Sequence, residues 1–165
     1  MSANKGFNRK HWRGGQDRHL YPIPPKDGRI FYIAIHLPRN PGNGVFYWAE
    51  VSQVGNLLAE FGCRVSSITN NRMEVLGLID IIEKHKECNN FVVYSSSQYL
   101  VNGVNAWMFK WKKKNFSKIK NPDLWSKLYS ALLGKKITMR WVKSLSGNKW
   151  NDYTYIKAME MYYDS

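Results

Sequence analysis

Two continuous runs of strand-forming residues constrain the fold of this 165-residue chain more than any other feature. Residues 29–37, RIFYIAIHL, are apolar at successive positions, as expected of a central strand that is buried on both faces. Residues 90–96, NFVVYSS, form a second apolar run, which ends in serines. A sheet with such strands at its centre needs other elements packed on each face. The two runs therefore predict a sheet that is covered on both sides.

The remaining segments complete the predicted architecture. Strands are expected at residues 45–54, 63–68 and 135–143, and helices at residues 70–85, 98–111, 122–133 and 151–163. The order β-β-β-α-β-α-α-β-α describes an antiparallel meander followed by crossover connections. The predicted fold class is therefore α/β, with a mixed five-stranded sheet flanked by helices in one domain over residues 29–165.

Charge indicates the class of partner. A formal net charge of +13 favours polyanions, nucleic acid before anionic membrane. Residues 1–28 are basic, with Phe7 and Trp12 interleaved and no periodicity, so we expect a flexible arm that either stays disordered or orders on phosphates. No apolar stretch approaches the ~20 residues of a membrane span, and no signal-peptide pattern opens the chain. We therefore predict an intracellular protein of the cytoplasm or an organelle matrix, neither secreted nor membrane-bound.

Four motifs occur in a fixed order along the chain. They are TNNRMEVLGLIDIIE (69–83), SSQYLVNGVNAWMFKWKKKNF (96–116), KNPDLWSKL (120–128) and ITMRWVK (137–143). In this order and at these distances they resemble the ribonuclease H family of the cellular type, over about residues 29–163. The resemblance implies cleavage of the RNA strand of an RNA–DNA hybrid, with two magnesium ions held by carboxylates.

The catalytic positions depart from that family. The resemblance places its four carboxylates at Ala34, Glu74, Ser96 and Tyr155, and Glu74 alone is acidic. Two-metal hydrolysis needs several anionic oxygens that converge on the ions. The sequence therefore leads us to expect no catalytic residues, no bound metal and no cofactor, the family's magnesium ions included.

A count of acidic residues along the two central strands gives the same result, and it does not depend on which positions are matched to the family. No Asp or Glu lies between residues 27 and 50 or between residues 87 and 123, so neither central strand supplies a carboxylate. Asp152 and His36 could supplement Glu74, but a carboxylate pair and an imidazole are too few ligands for two magnesium ions. Leu145 also stands where the family carries a histidine.

The positions that contact nucleic acid in the family match better. The resemblance implies that amides contact the minor groove and the RNA 2′-hydroxyls, namely Asn40, Asn70, Asn71 and Gln98. It implies that two hydroxyls and an amide form a pocket for a DNA phosphate, namely Thr69, Ser97 and Asn121. It also implies that two aromatic rings line the DNA-strand channel, namely Trp107 and Trp111. We define the basic protrusion as residues 110–120, KWKKKNFSKIK, which hold six lysines and no acid. Lys112, Lys113 and Lys114 at its centre are expected to bind phosphates.

Three functions are compatible with these observations. The main hypothesis is a non-catalytic protein, a pseudoenzyme that binds RNA or RNA–DNA hybrid through the backbone, either free or as a structural subunit of a ribonucleoprotein such as a ribosome-like particle. The second is a residual or altered metal-dependent ribonuclease that acts on hybrids with Glu74, Asp152 and His36. The third is an adaptor that binds a partner protein in the cleft that holds the catalytic site in the family.

Overall fold

The computed structural model describes residues 28–164. The strands are β1 (Arg29–His36), β2 (Gly42–Val51), β3 (Leu57–Ile68), β4 (Asn90–Ser95) and β5 (Lys136–Trp141). The helices are α1 (Asn70–Lys84), α2 (Gln98–Asn102), α3 (Met108–Lys113), α4 (Pro122–Ala131) and α5 (Lys149–Tyr163), with a π-helical turn at Gly103–Trp107 between α2 and α3. This order confirms the predicted α/β class. The predicted arm at residues 1–28 lies outside the described residues except for Gly28, and the domain boundary stays a prediction.

The five strands form one mixed sheet in the order β3-β2-β1-β4-β5. β2 pairs antiparallel with β1 and β3, whereas β4 pairs parallel with β1 and β5. The two apolar runs, β1 and β4, are therefore neighbours near the middle of the sheet. Their shared orientation brings both carboxyl ends to one edge, the place where open α/β sheets bind ligands.

Helices cover both faces of the sheet. On one face, α1 packs against β1 and β2 so closely that a Cβ added at Gly77 would lie 2.7 Å from Ile33 Cδ1. On the other face, α5 packs on β1 and β2 and is tied to β3, because Tyr153 Oη donates a hydrogen bond of 2.8 Å to Glu60 Oε1. None of the helices within residues 28–164 is long and apolar enough to cross a membrane.

β2 lies three residues earlier than predicted, at Gly42–Val51 instead of residues 45–54, and two other elements differ more from the sequence prediction. β3 begins at Leu57 rather than at residue 63, because its first half forms an exposed hairpin with β2 and lacks a continuous apolar pattern. The helix predicted over residues 98–111 is divided by the π-helical turn. Gly103 opens this turn against Trp125, and a Cβ at that glycine would lie 2.2 Å from the indole ring. The division thus follows from a close approach that periodicity does not report.

Candidate functional site

The cleft opens where the two central strands separate. Ile33 of β1 pairs with Ser95 of β4, and the parallel ladder ends with this pair. The next residues, Ala34 and Ser96, therefore flank the opening. Ser95 Oγ accepts a hydrogen bond of 3.0 Å from the Ser97 N–H, and the Ser96 carbonyl accepts one of 3.2 Å from Trp141 Nε1. These bonds fix the junction of β4 and α2 without any acidic side chain.

Glu74 is the acidic residue that α1 brings to this end of the sheet. It follows Met73, whose side chain packs near Gly44 of β2, and it is 8% exposed. No hydrogen bond or ion pair reaches its carboxyl group from the other residues of the 28–164 region. Burial disfavours the charged form and raises the pKa of Glu74 to about 8. The carboxyl group is therefore mostly protonated at neutral pH.

The donor set does not fit the family's pair of magnesium ions. Ala34 offers no ligand atom, and the hydroxyls of Ser96 and Tyr155 bring no negative charge to offset that of the ions. Within residues 28–164, no group of three or more His, Cys, Asp or Glu side chains is placed to hold a metal ion. No chemical step can therefore be assigned to a metal pair from these residues.

The proposed supplementary ligands have other partners. His36 lies against the tyrosines at the end of α5, with its Nε2 atom 3.4 Å from Tyr163 Oη, and burial lowers the pKa of its imidazole. Asp152 Oδ2 accepts a hydrogen bond of 3.1 Å from the Gly147 N–H, which holds the loop before α5. Tyr155 places its ring 6.2 Å from the His36 ring, as an edge contact. Aromatic packing thus occupies this side of the cleft.

The start of α1 gathers three of the predicted sugar-contacting amides. Asn40 Oδ1 accepts a hydrogen bond of 3.0 Å from the Asn70 N–H, which joins the turn after β1 to the first residue of α1. Thr69 is the N-cap of this helix, and its Oγ1 accepts a hydrogen bond of 3.3 Å from the Arg72 N–H. Asn71 is exposed beside them. The structure therefore brings Asn40, Thr69, Asn70 and Asn71 together.

Arg72 connects this cluster to the start of α4. Its guanidinium donates to both carboxylate oxygens of Asp123, at 3.0 and 2.7 Å, and to Asn121 Oδ1 at 3.2 Å. The pKa of the Asp123 carboxyl is lowered to about 2, chiefly by the hydrogen bonds from Arg72. Asn121 Nδ2 donates in turn to Tyr99 Oη at 3.2 Å. Thr69 thus binds the backbone of Arg72 and Asn121 its guanidinium, and their role in a phosphate pocket stays a prediction.

Sequence reasoning did not assign the role of Arg72 or of Tyr99. Nothing in the local sequence links residue 72 to residue 123, because their contact depends on how α1 packs against α4. Ser97, the third predicted pocket residue, is the N-cap of α2, with its Oγ accepting a hydrogen bond of 3.0 Å from the Leu100 N–H. Gln98, the first residue of α2, is exposed.

The basic protrusion projects from a buried aromatic base. Trp111 packs edge-on against the fully buried Trp125, at 5.0 Å between ring centroids, and Trp107 lies 5.9 Å from Trp111 and is 38% exposed. Phe116 is 5% exposed and anchors the tip. The three central lysines, Lys112, Lys113 and Lys114, are exposed. Charge and partly exposed rings thus occur together, a combination that suits a nucleic-acid strand.

Known proteins resemble this chain in sequence and in fold. The family model described as RNase H matches residues 37–154. The ribonuclease H of Rickettsia massiliae is 36% identical over 118 residues, which cover 68% of this chain and 76% of the relative. The ribonuclease H of Francisella philomiragia is 33% identical over 132 residues, which cover 77% and 86% respectively. The crystal structure of LC11-RNase H1 in complex with an RNA/DNA hybrid matches with a TM-score of 0.63 at 18% identity, covering 81% of this chain and 98% of that one.

These relatives overturn the prediction of a non-catalytic protein. That prediction rested on Ala34, Ser96 and Tyr155 at the family's carboxylate positions. It is wrong, because relatives with 33% and 36% identity over most of the chain are named ribonuclease H, an enzyme. The physical reason is that a missing carboxylate removes a ligand from one arrangement of metal ions and does not by itself exclude hydrolysis. The accompanying role as a structural subunit of a ribonucleoprotein has no support among these relatives.

Proposed function

This chain belongs to the ribonuclease H family, and on that premise we propose that it is a ribonuclease that acts on RNA–DNA hybrids with an altered catalytic centre. The observation that carries the proposal is the extent of its similarity to proteins named ribonuclease H, which includes α1 with Glu74 and the polar residues around it. The hybrid is the expected substrate because a solved structure with the same fold contains one.

Binding is proposed to use the two polar clusters and the basic protrusion. The amides of Asn40, Asn70, Asn71 and Gln98 offer both donors and acceptors to the sugar hydroxyls of the RNA strand. Thr69 and Asn121, on either side of Arg72, are the groups proposed for a phosphate of the DNA strand, because hydroxyl and amide groups position a phosphate without reading sequence. The lysines of the protrusion add sequence-independent attraction.

Glu74 is proposed as the proton donor of the altered centre. A buried carboxyl group with a pKa of about 8 still holds its proton at neutral pH, and a general acid works best when its pKa lies near the working pH. When water attacks the phosphorus of the RNA strand and the P–O bond to the leaving oxygen breaks, Glu74 can protonate that oxygen, and the resulting carboxylate takes up the proton that the water releases. The proposal includes no magnesium pair, because the cleft residues do not fit one.

The test is cleavage of a hybrid whose RNA strand carries a label, in magnesium, in manganese and in a chelator. We expect cleavage of the RNA strand in the hybrid and none in the matching duplex DNA. Glu74→Gln should reduce the rate at least about tenfold, which corresponds to about 1.4 kcal/mol of transition-state stabilisation. Cleavage that persists in the chelator shows that the centre works without a divalent ion, whereas strict dependence on one shows that the altered centre still recruits it.

The matched control is Glu83→Gln, an acid on the same helix whose side chain is 46% exposed. This change should leave the cleavage rate unaltered. The proposal fails if the wild-type chain cuts no hybrid under any of the three conditions, or if Glu74→Gln cuts as fast as the wild type.

A further inference from the structure

A groove lies beside the basic protrusion, behind the ring of Phe109. We call it the rear groove. It has a volume of about 420 Å³ and lies between α3, the end of α4 and the start of β5. The residues that matter for its chemistry are Asn105, Met108, Phe109, Tyr129, Leu133 and Lys136. Its volume falls within the range of roughly 300–1,000 Å³ that is typical of binding pockets.

The rim of the rear groove exposes two large apolar side chains. Phe109 is 58% exposed and Leu133 is 65% exposed. Tyr129 forms the wall between them, with its ring 6.3 Å from that of Phe109 as an edge contact. Large apolar side chains beside a concave surface are typical of an interaction site, whereas single exposed apolar residues need no explanation.

The surroundings of the groove are strongly basic. Between residues 103 and 143 the chain has eleven Lys or Arg residues and a single acid, Asp123, which Arg72 already engages. Lys112 Nζ lies 5.6 Å from the centroid of the Tyr129 ring. Lys135 lines the groove with its Nζ held 2.6 Å from the carbonyl oxygens of Lys86 and Cys88, and Lys136 beside it is exposed. The groove thus combines apolar anchoring points with a positive rim.

The rear groove borders the proposed hybrid interface, because both involve α3 and Lys112 lies at the edge of each. Trp111 turns toward Trp125, whereas Phe109 turns toward Tyr129. Asn105 holds the groove in shape, since its amide donates to the Met139 carbonyl at 2.9 Å and accepts from the Met139 N–H at 3.2 Å.

We propose that the rear groove binds an acidic segment of a partner protein that inserts large apolar side chains between Phe109 and Leu133. Charge complementarity selects this occupant. The chain's own first 27 residues carry six basic residues and two acids, so they would be repelled. A second copy of the chain, with a net charge of +13, would be repelled as well. Nucleic acid would satisfy the lysines but offers no aliphatic side chain to the rim.

The test uses a fluorescent synthetic peptide in which glutamate and leucine alternate. Two matched peptides accompany it, one with serine in place of leucine and one with lysine in place of glutamate. Fluorescence anisotropy should show binding of the first peptide alone. The double variant Phe109→Ser, Leu133→Ser should weaken that binding at least about tenfold. The control Val54→Ser, Leu58→Ser removes residues that are 83% and 60% exposed elsewhere on the surface, and it should bind as the wild type does.

A charge reversal provides the second variant. Lys136→Glu should weaken binding of the glutamate–leucine peptide and strengthen that of the lysine–leucine peptide. Equal binding of the glutamate–serine peptide, or unchanged affinity in the double variant, overturns the proposal. Loss of binding to an RNA oligonucleotide in the double variant, with peptide binding unaffected, would make the groove a nucleic-acid site and overturn it too. Hybrid cleavage by the double variant should equal that of the wild type, which keeps this test independent of the proposed function.

Discussion

Ile33 and Ser95 form the last pair of the parallel ladder between β1 and β4, and the strands separate directly after it. The two residues that follow, Ala34 and Ser96, are therefore the points at which carboxylates could be introduced beside Glu74. Ser96 follows the end of β4, whereas Ala34 is buried within β1, where it pairs with Tyr47 of β2.

The first prediction concerns a cleft with acids restored. The double variant Ala34→Asp, Ser96→Asp should bind magnesium, because three carboxyl groups would then converge on the place where the strands part. Without metal, their mutual repulsion should lower the melting temperature. Magnesium at about one hundred times its Kd should raise the free energy of unfolding by about 2.7 kcal/mol. For a chain of this length, each kcal/mol shifts the melting temperature by roughly 2–4 °C. Calorimetry with and without the ion measures the effect.

The control for this variant is Ala34→Asn, Ser96→Asn, which has nearly the same shape without the charge. It should show no stabilisation by magnesium. An equal response of the two variants would mean that the strand ends do not converge with Glu74.

Much of the fold could be predicted from the sequence, because two features were strong. β1 and β4 are continuous apolar runs, and α1 combines helical periodicity with Thr69 at its start. The first half of β3 and the π-helical turn could not be predicted, because an exposed hairpin and the contact of Gly103 with Trp125 leave no periodic signal. Positions in the cleft followed from the resemblance, and the structure brings Asn40, Asn70 and Asn71 together at the start of α1, with Gln98 apart from them on α2.

The chemistry of the site was predicted less well. The burial of Glu74, and hence its raised pKa, depends on how α1 packs on the sheet and is not visible in the sequence. The contact between Arg72 and Asp123 joins two helices that are far apart in the chain. Counting carboxylates led to the wrong prediction of a non-catalytic protein, because the count tested the family's metal centre and not hydrolysis in general.

The second prediction concerns pH and Glu74. Its pKa rises from 4.5 in the unfolded chain to about 8 in the folded protein. The folded state therefore binds the additional proton between these values, and stability should fall as the pH rises from about 4.5 to 8. Each pKa unit corresponds to about 1.4 kcal/mol, so the decline should amount to several kcal/mol. Urea unfolding at closely spaced pH values measures the slope.

Glu74→Gln removes the titrating group and keeps its shape. Its stability should decline less with pH, and it should exceed the wild type in stability at pH 8. Glu83→Gln is again the control, and its pH profile should match the wild type. Parallel profiles for Glu74→Gln and the wild type would show that the carboxyl group is accessible to water.

The third prediction concerns the ion pair of Arg72 and Asp123. In Arg72→Gln the pKa of Asp123 should return from about 2 toward its usual value of 3.8, because the hydrogen bonds that favour the charged carboxylate are absent. The pair stabilises the fold above pH 3.8, and that contribution disappears as the pH falls toward 2. Since Asp123 is largely exposed, the destabilisation at neutral pH should stay below about 1 kcal/mol. An NMR titration of the carboxyl carbon measures the pKa.

Lys127→Gln serves as the control for that titration. It removes a positive charge from the same helix, α4, one turn after Asp123, without touching the ion pair. The pKa of Asp123 should stay near 2 in this variant. If the pKa of Asp123 rose equally in both variants, its low value would result from the overall positive charge of the protein and not from Arg72.

The fourth prediction concerns the basic protrusion. Each phosphate that a lysine neutralises releases counterions, so the affinity for a hybrid should fall linearly with salt on logarithmic axes. The triple variant Lys112→Ala, Lys113→Ala, Lys114→Ala should reduce the slope by roughly 0.9 for each phosphate that is no longer neutralised, the value known for B-form DNA. The fold should persist, because all three side chains are exposed while the buried Phe116 holds the tip.

The control Lys84→Ala, Lys86→Ala removes positive charge at the end of α1, away from the predicted interface, and should keep the wild-type slope. If the triple variant also keeps it, the protrusion does not bind the hybrid, and the amides at the start of α1 must bind it instead.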